Sequence, residues 1–194
     1  SALATVEEYD PVADTWRSRA SLRVPRLAPA AAALRGRVYV IGGLNMTDGD
    51  LASVETYDPA TDTWSDASPL GTSRYALAAA AVGDRIYAAA GFNFSLGILD
   101  YVEAYDPDLD LWTAVPGLLG ARESPAGAEL DGRFYVLGGD NGVNLATAEE
   151  ARIPTGLPPG ASITFTVTGE AVEVCAAATV PGVAVAEGGT PCAT

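Results

Sequence analysis

Residues 6–17 read VEEYDPVADTWR, residues 54–65 read VETYDPATDTWS and residues 102–113 read VEAYDPDLDLWT: one phrase, three times, spaced 48 residues apart without insertion. Other columns keep the same register. Tyr9, Tyr57 and Tyr105 share one; Trp16, Trp64 and Trp112, the only tryptophans, share a second; Tyr39, Tyr87 and Tyr135 a third; Arg26, Arg74 and Arg122 a fourth. A fixed period of this length marks an array of units, none of which can bury its apolar face alone, so that neighbours must stack to make a core. The repeat therefore constrains the fold before any other feature does.

Within one unit the apolar runs are short and punctuated by turn residues. PAAAAL (29–34) meets Arg35-Gly36 and continues as RVYVIGG (37–43); the equivalent joints are Gly83-Asp84 and Asp131-Gly132, dipeptides that accept the positive φ of tight hairpins. A variable loop follows, then SVETYD (53–58), a turn at Pro59, and DTWSD (62–66). The pattern predicts four antiparallel strands per unit and no helix. Four-stranded units repeating at 40 to 50 residues read as blades of an all-β propeller.

A Gly-Gly doublet followed by a tyrosine and then a tryptophan resembles the kelch motif. Gly42, Gly43, Tyr57 and Trp64 carry it, and Gly138-Gly139 repeats the doublet; the middle copy keeps Gly91 but has Ala90 in place of the first glycine. The resemblance covers about residues 3–153. It implies kelch-type blades whose alanine-rich strand is innermost, in keeping with the small residues Ala30 to Ala33 and Ala78 to Ala81. It also implies that Arg26, Arg74 and Arg122, each just before an innermost strand, ring the channel mouth, where kelch propellers can bind acidic peptides or other anions. Guanidinium forks suit carboxylates. The competing expectation is structural, with each arginine paired to a repeat-register glutamate, Glu7, Glu55 or Glu103, as an internal brace.

The strands add up to about three blades, whereas the smallest closed propellers have four. The N-terminus supplies only the third and fourth strands of a blade. A ring left incomplete exposes unpaired strand edges, which must be covered. Three covers are expected: missing repeats of a longer chain, a second copy, or a strand accepted from a neighbour, which polymerises if the rotation does not close. The propeller segment is assigned to residues 1–153, a Pro/Gly linker to 154–160 and a β-rich tail to 161–194. The tail is expected to begin an immunoglobulin-like module or to donate strands to a partner. Cys175 and Cys192 both fall in it, and their pairing as a disulfide is left open.

Charge excludes further classes. The chain carries a net charge of −14, its basic residues are all arginine, and it has no histidine. Such a surface repels phosphate backbones, so nucleic acid is not an expected partner. Without histidine, Ser-His-Asp hydrolysis, imidazole acid–base chemistry and the common catalytic zinc sites fall away, as does the chemistry of copper-radical oxidases that carry kelch-like propellers. Ser73 and Ser124 flank the arginines with no base to activate them. No cofactor and no metal are expected. Asp106, Asp108 and Asp110 resemble a calcium loop, but Leu111 and Gly117 occupy its glycine and glutamate positions, so a turn is expected. The segment MTDGDL (46–51) and Asp140-Asn141 are looser oxygen sets. Asn45 and Asn93 share a column and both open glycosylation acceptor triplets.

No apolar run is long enough to span a membrane, and no export signal opens the sequence, so such a signal is expected to be absent or removed. The reading that results is a non-enzymatic extracellular or cell-surface interaction module that completes its propeller with other protein, either other copies of itself, as a dimeric ring or filament, or the missing part of a longer chain. Its alternative is a sugar- or anion-binding module of a larger secreted enzyme.

Overall fold

The computed structural model describes residues 1–153 and 165–168. Among these every regular element is a β-strand, and no helix is long and apolar enough to cross a membrane. The chain opens with the antiparallel pair β1 (Val6–Asp10) and β2 (Thr15–Arg19). A second blade follows from β3 (Ala30–Leu34) and β4 (Arg37–Ile41), a two-residue ladder of β5 (Leu44–Asn45) with β6 (Gly49–Asp50), and then β7 (Val54–Asp58) and β8 (Thr63–Ala67). The third blade repeats the scheme with β9 (Ala78–Val82), β10 (Arg85–Ala89), the ladder β11 (Phe92–Asn93) with β12 (Gly97–Ile98), β13 (Val102–Asp106) and β14 (Leu111–Val115). In the fourth, β15 (Ala126–Leu130), β16 (Arg133–Leu137) and β17 (Ala148–Arg152) are joined by β18 (Phe165–Thr168). The three full sheets run β3-β4-β7-β8, β9-β10-β13-β14 and β15-β16-β17-β18.

Local chemistry explains these elements. Arg35-Gly36 and Asp131-Gly132 adopt φ of 51° and 75°, and of 52° and 72°, the left-handed pair that a two-residue hairpin needs to match strand twist. The alanine-rich strands lie side by side, β9 between β3 and β15. Only small residues allow that approach: a Cβ at Gly127 would stand 3.0 Å from the Ala79 carbonyl oxygen.

The core lies between blades. One cluster joins Tyr39, Ile41 and Val54 of the second blade to Leu77, Ile86, Tyr105 and Trp112 of the third; another joins Tyr87, Val102 and Leu118 to Phe134, Val136 and Ala151 of the fourth. Ring contacts cross both joints, Tyr39 to Tyr105 at 5.6 Å and Tyr87 to Phe134 at 6.1 Å between centroids. Each blade is a half-finished core until its neighbour arrives.

The fourth blade differs from the sequence assignment, which ends the propeller at residue 153 and gives 161 onward to a separate tail. Residues 165–168 pair with β17, and Ala151↔Phe165 occupies the register of Tyr57↔Trp64 and Tyr105↔Trp112. An outermost strand from beyond the linker pairs an edge that would otherwise be bare. The rest of the linker and tail, Cys175 and Cys192 included, lies outside the described residues.

Candidate functional site

The repeat-register residues converge on the joints between blades. Arg26 donates through Nη1 to the carbonyl oxygens of Gly42 (2.6 Å) and Ser53 (3.1 Å), and through Nη2 to Glu55 Oε1 (2.6 Å). Arg122 repeats this with the Gly138 carbonyl (3.1 Å) and an ion pair to Glu149. Arg74 pairs with Glu103 at 2.7 Å and donates to the Ala88 carbonyl at 3.2 Å. The glutamates also accept backbone N–H groups of the chain entering the blade: Arg23 and Val24 on Glu55, Gly71 on Glu103, Leu119 and Gly120 on Glu149.

These arginines are buried, as are their glutamates. The ligand-binding expectation is corrected accordingly. Arg26, Arg74 and Arg122 do not line an open mouth; they are braces, each with the glutamate of its own blade. The glutamates are Glu55, Glu103 and Glu149, and Glu7 stands exposed without such an arginine among the described residues. The glycine doublet lets the backbone pass close to the first and last of these arginines. A Cβ at Gly43 would lie 3.2 Å from Arg26 Cβ, and one at Gly139 would lie 3.4 Å from Arg122 Cβ, so the second glycine clears room for the arginine. In the middle blade Ala90 and Tyr101 replace Gly42 and Ser53, and Arg74 Nε is left without a hydrogen-bond partner among the described residues. Burial pushes the Arg74 guanidinium below its ordinary pKa, opposed by the charge of Glu103.

The Tyr-Asp-Pro turns form the second half of each joint. Tyr9, Tyr57 and Tyr105 donate their hydroxyls to Asp14 (2.6 Å), Asp62 (2.6 Å) and Asp110 (2.7 Å). Asp62 Oδ1 also accepts the Ala20 N–H (3.0 Å), while Trp64 Nε1 donates to the Ala20 carbonyl (2.7 Å). Asp110 and Trp112 grip Ser68 in the same way, at 2.8 and 2.9 Å. The second and third blades thus each hold the preceding one by one donor and one acceptor. The sequence pattern singled out the tryptophan column but missed Asp62 and Asp110 as acceptors. It also missed Glu149, because a shorter last loop makes the step from Glu103 only 46 residues, 149 minus 103.

Among the described residues no blade packs against the outer side of blade one, and its register residues are bare. Trp16 is 66% exposed where Trp112 is 8%. Leu3 and Tyr9 are exposed where Leu51, Leu99, Tyr57 and Tyr105 are buried. Among the described residues β1 has no strand at its inner edge, the place β4, β10 and β16 take beside β7, β13 and β17. The far face of the fourth blade is bare in the same sense: Leu130 is 59% exposed where its equivalent Val82 is 2%, and Leu137 is exposed where Ile41 and Ala89 are buried.

The other sequence candidates separate. Asn93 is buried, with its amide nitrogen on the Ser73 carbonyl and its oxygen accepting the Ser95 N–H; Asn45 makes the matching bonds to Pro25 and Thr47 at a partly exposed site. Asp106, Asp108 and Asp110 turn to different partners, namely the Asp108 N–H, Arg35, and Tyr105 with Ser68. Among the described residues no three acidic or sulfur side chains gather as metal ligands.

The Kelch motif matches residues 25–71 and 73–119. A putative F-box/kelch-repeat protein of Arabidopsis thaliana is 40% identical over 48 residues, 25% of this chain and 16% of that protein. The influenza virus NS1A-binding protein homolog of Mus musculus is 47% identical over 49 residues, 25% of this chain and 8% of that protein. The solved structure of YjhT is similar with a TM-score of 0.66 at 16% identity, over 80% of this chain and 55% of that one. The chain therefore spans about half the length of that structure and a small part of the curated relatives. Two kelch motif matches in register thus lie on four-stranded all-β blades, and the chain carries kelch repeats on a β-propeller architecture.

Proposed function

We propose that the chain is a non-enzymatic interaction module that completes its propeller with other protein, and that copies of itself can serve by stacking head to tail. Kelch repeats generally mediate protein–protein interaction. The observation that carries the finer reading is the pair of bare ends. The first blade exposes the residues with which an internal blade grips its predecessor, Leu3, Tyr9 and Trp16; the fourth exposes Leu130 and Leu137, which an internal blade buries against its successor. One end is what the other lacks. In the register of the internal joints Tyr135 would meet Tyr9 of the next copy as Tyr39 meets Tyr105. Such a heterologous contact gives a ring if the rotation closes and a filament if it does not. We place this activity outside the cell, on the strength of the acidic, lysine-free composition and the two tail cysteines.

The test compares Trp16→Ala with Trp112→Ala by thermal unfolding and by light scattering. Trp112→Ala should lower stability by about 3–5 kcal/mol, as for a large aromatic lost from a core. Trp16→Ala should leave the melting point of the dilute chain unchanged and reduce its association. Equal loss of stability in both variants, with no change in solution mass, overturns the reading.

A further inference from the structure

One row of positions crosses the loop face of three blades, away from the two ends. It is formed by the isolated bridges Leu27↔Leu44, Tyr75↔Phe92 and Glu123↔Asp140, which fall in the same repeat register. The pair is aliphatic in the second blade, aromatic in the third and acidic in the fourth. The aromatic pair is enlarged by Phe94, whose ring lies 5.7 Å from that of Tyr75 and 6.0 Å from that of Phe92 and is 62% exposed.

The carboxylates beside these rings are poorly served. Glu123 and Asp140 exchange both backbone hydrogen bonds, at 2.8 and 2.9 Å, which sets two like charges side by side on one face, an arrangement that costs stability. Asp140 Oδ1 accepts the Gly142 N–H of its own turn at 2.8 Å, but among the described residues neither carboxylate forms an ion pair. Asp50 accepts the Phe94 N–H through Oδ2 at 2.7 Å, while its other oxygen is screened from solvent and has no hydrogen-bond partner among the described residues. Burial raises the Tyr75 phenol above its ordinary pKa, and the charges of Glu123 and Asp50 raise it further, so both carboxylates act on the aromatic cluster.

We propose that this face, Tyr75, Phe92 and Phe94 flanked by Asp50, Glu123 and Asp140, binds a basic segment of a partner protein. An arginine or lysine of that segment sits over the exposed ring and against the carboxylates, and an apolar neighbour lies toward Leu27 and Leu44. A cation over an aromatic face gains from the ring quadrupole, and unpaired carboxylates supply the charge complement that fixes register. The acidity of the chain, −14 overall, steers such a partner inward.

The probe is a capped five-residue peptide alternating arginine and leucine, with a glutamate–leucine peptide as its acidic counterpart, titrated calorimetrically into the full chain. Phe94→Ala and the double variant Glu123→Gln/Asp140→Asn should each weaken the basic peptide about 5-fold or more. The charge-matched control Asp84→Asn/Asp131→Asn, on hairpin turns at the opposite ends of the strands, should change it by less than about 2-fold. The acidic peptide should not bind. Equal weakening by the control would show attraction by net charge alone and overturn the site. So would an unaffected Phe94→Ala, or no binding to the wild-type chain. Thermal melts of each variant separate loss of the site from loss of the fold. None of these outcomes bears on the blade ends.

Discussion

Arg74 and Glu103 show most directly what a repeat-register residue does here. Both are buried and each is the other's charge partner. Removing one member strands the other in a low-dielectric joint, so Glu103→Ala should destabilise the chain by about 3–5 kcal/mol. Replacing both, as Arg74→Met with Glu103→Leu, should recover all but about 1 kcal/mol. Urea unfolding with a double-mutant cycle measures both. Gly42 makes the complementary case. It holds φ +62°, and a Cβ there would lie 2.5 Å from the Arg74 carbonyl oxygen, a backbone atom of the next blade. Gly42→Ala should therefore cost about 2 kcal/mol or more. At the same register Ala90 holds φ 63° in a fully buried site, so the third blade has already accommodated that methyl.

At the scale of elements, the turns bring a dependence on pH. A hydrogen bond from Tyr57, then the Ala20 N–H, holds the Asp62 carboxyl below its ordinary pKa; the Ser68 N–H, then Tyr105, does the same for Asp110. A carboxyl depressed in the folded state contributes stability that is present above its unfolded pKa and lost as pH falls through the folded one. Acid should therefore loosen the joints. Asp110→Asn should flatten the acid limb of a stability–pH curve followed by the thermal midpoint. Tyr105 is shifted the other way, by burial and then Asp110, so its contribution is lost in strong alkali as pH rises through the folded value. The last strand offers a separate check. Thr166 pairs with Glu150 in the ladder of β17 and β18, at a position whose N–H faces β17, and Thr166→Pro removes a backbone donor there. Amide exchange across Ala148–Arg152 should accelerate, with the second blade unaffected.

The same elements show what was legible in the sequence. Strands, hairpin joints, alanine-rich inner strands and the period could be read directly, because pattern and turn chemistry are local. The arginine column was visible, but its direction was not. Whether a guanidinium faces a channel or a glutamate depends on where the fold sets the glutamate of the same blade, which is a fact of three dimensions. Asp62 reads as the start of a strand and Asp110 as part of a turn, because the second partner of each lies in another blade. The sequence pattern assigns β18 to a separate β-rich tail and not to the fourth blade, because the linker before it breaks the period that identified every other strand.

For the whole molecule, two half-joints remain once the internal joints are made. Leu3, Tyr9 and Trp16 face outward at one end, and Leu130 and Leu137 at the other. Buried apolar area is what holds each internal joint, at about 25 cal/mol per Å² removed from water. Ends that repeat the joint chemistry should therefore find each other.

The most direct measurement is solution mass by light scattering on three samples: a Trp16→Glu variant, a Leu137→Glu variant, and an equimolar mixture. Each variant keeps one competent end and blocks the other, so each alone should remain a single chain while the mixture forms a one-to-one dimer. The wild-type chain should grow in mass with concentration. A wild-type chain that stays single at every concentration, or a mixture that stays as small as its components, would contradict complementary ends.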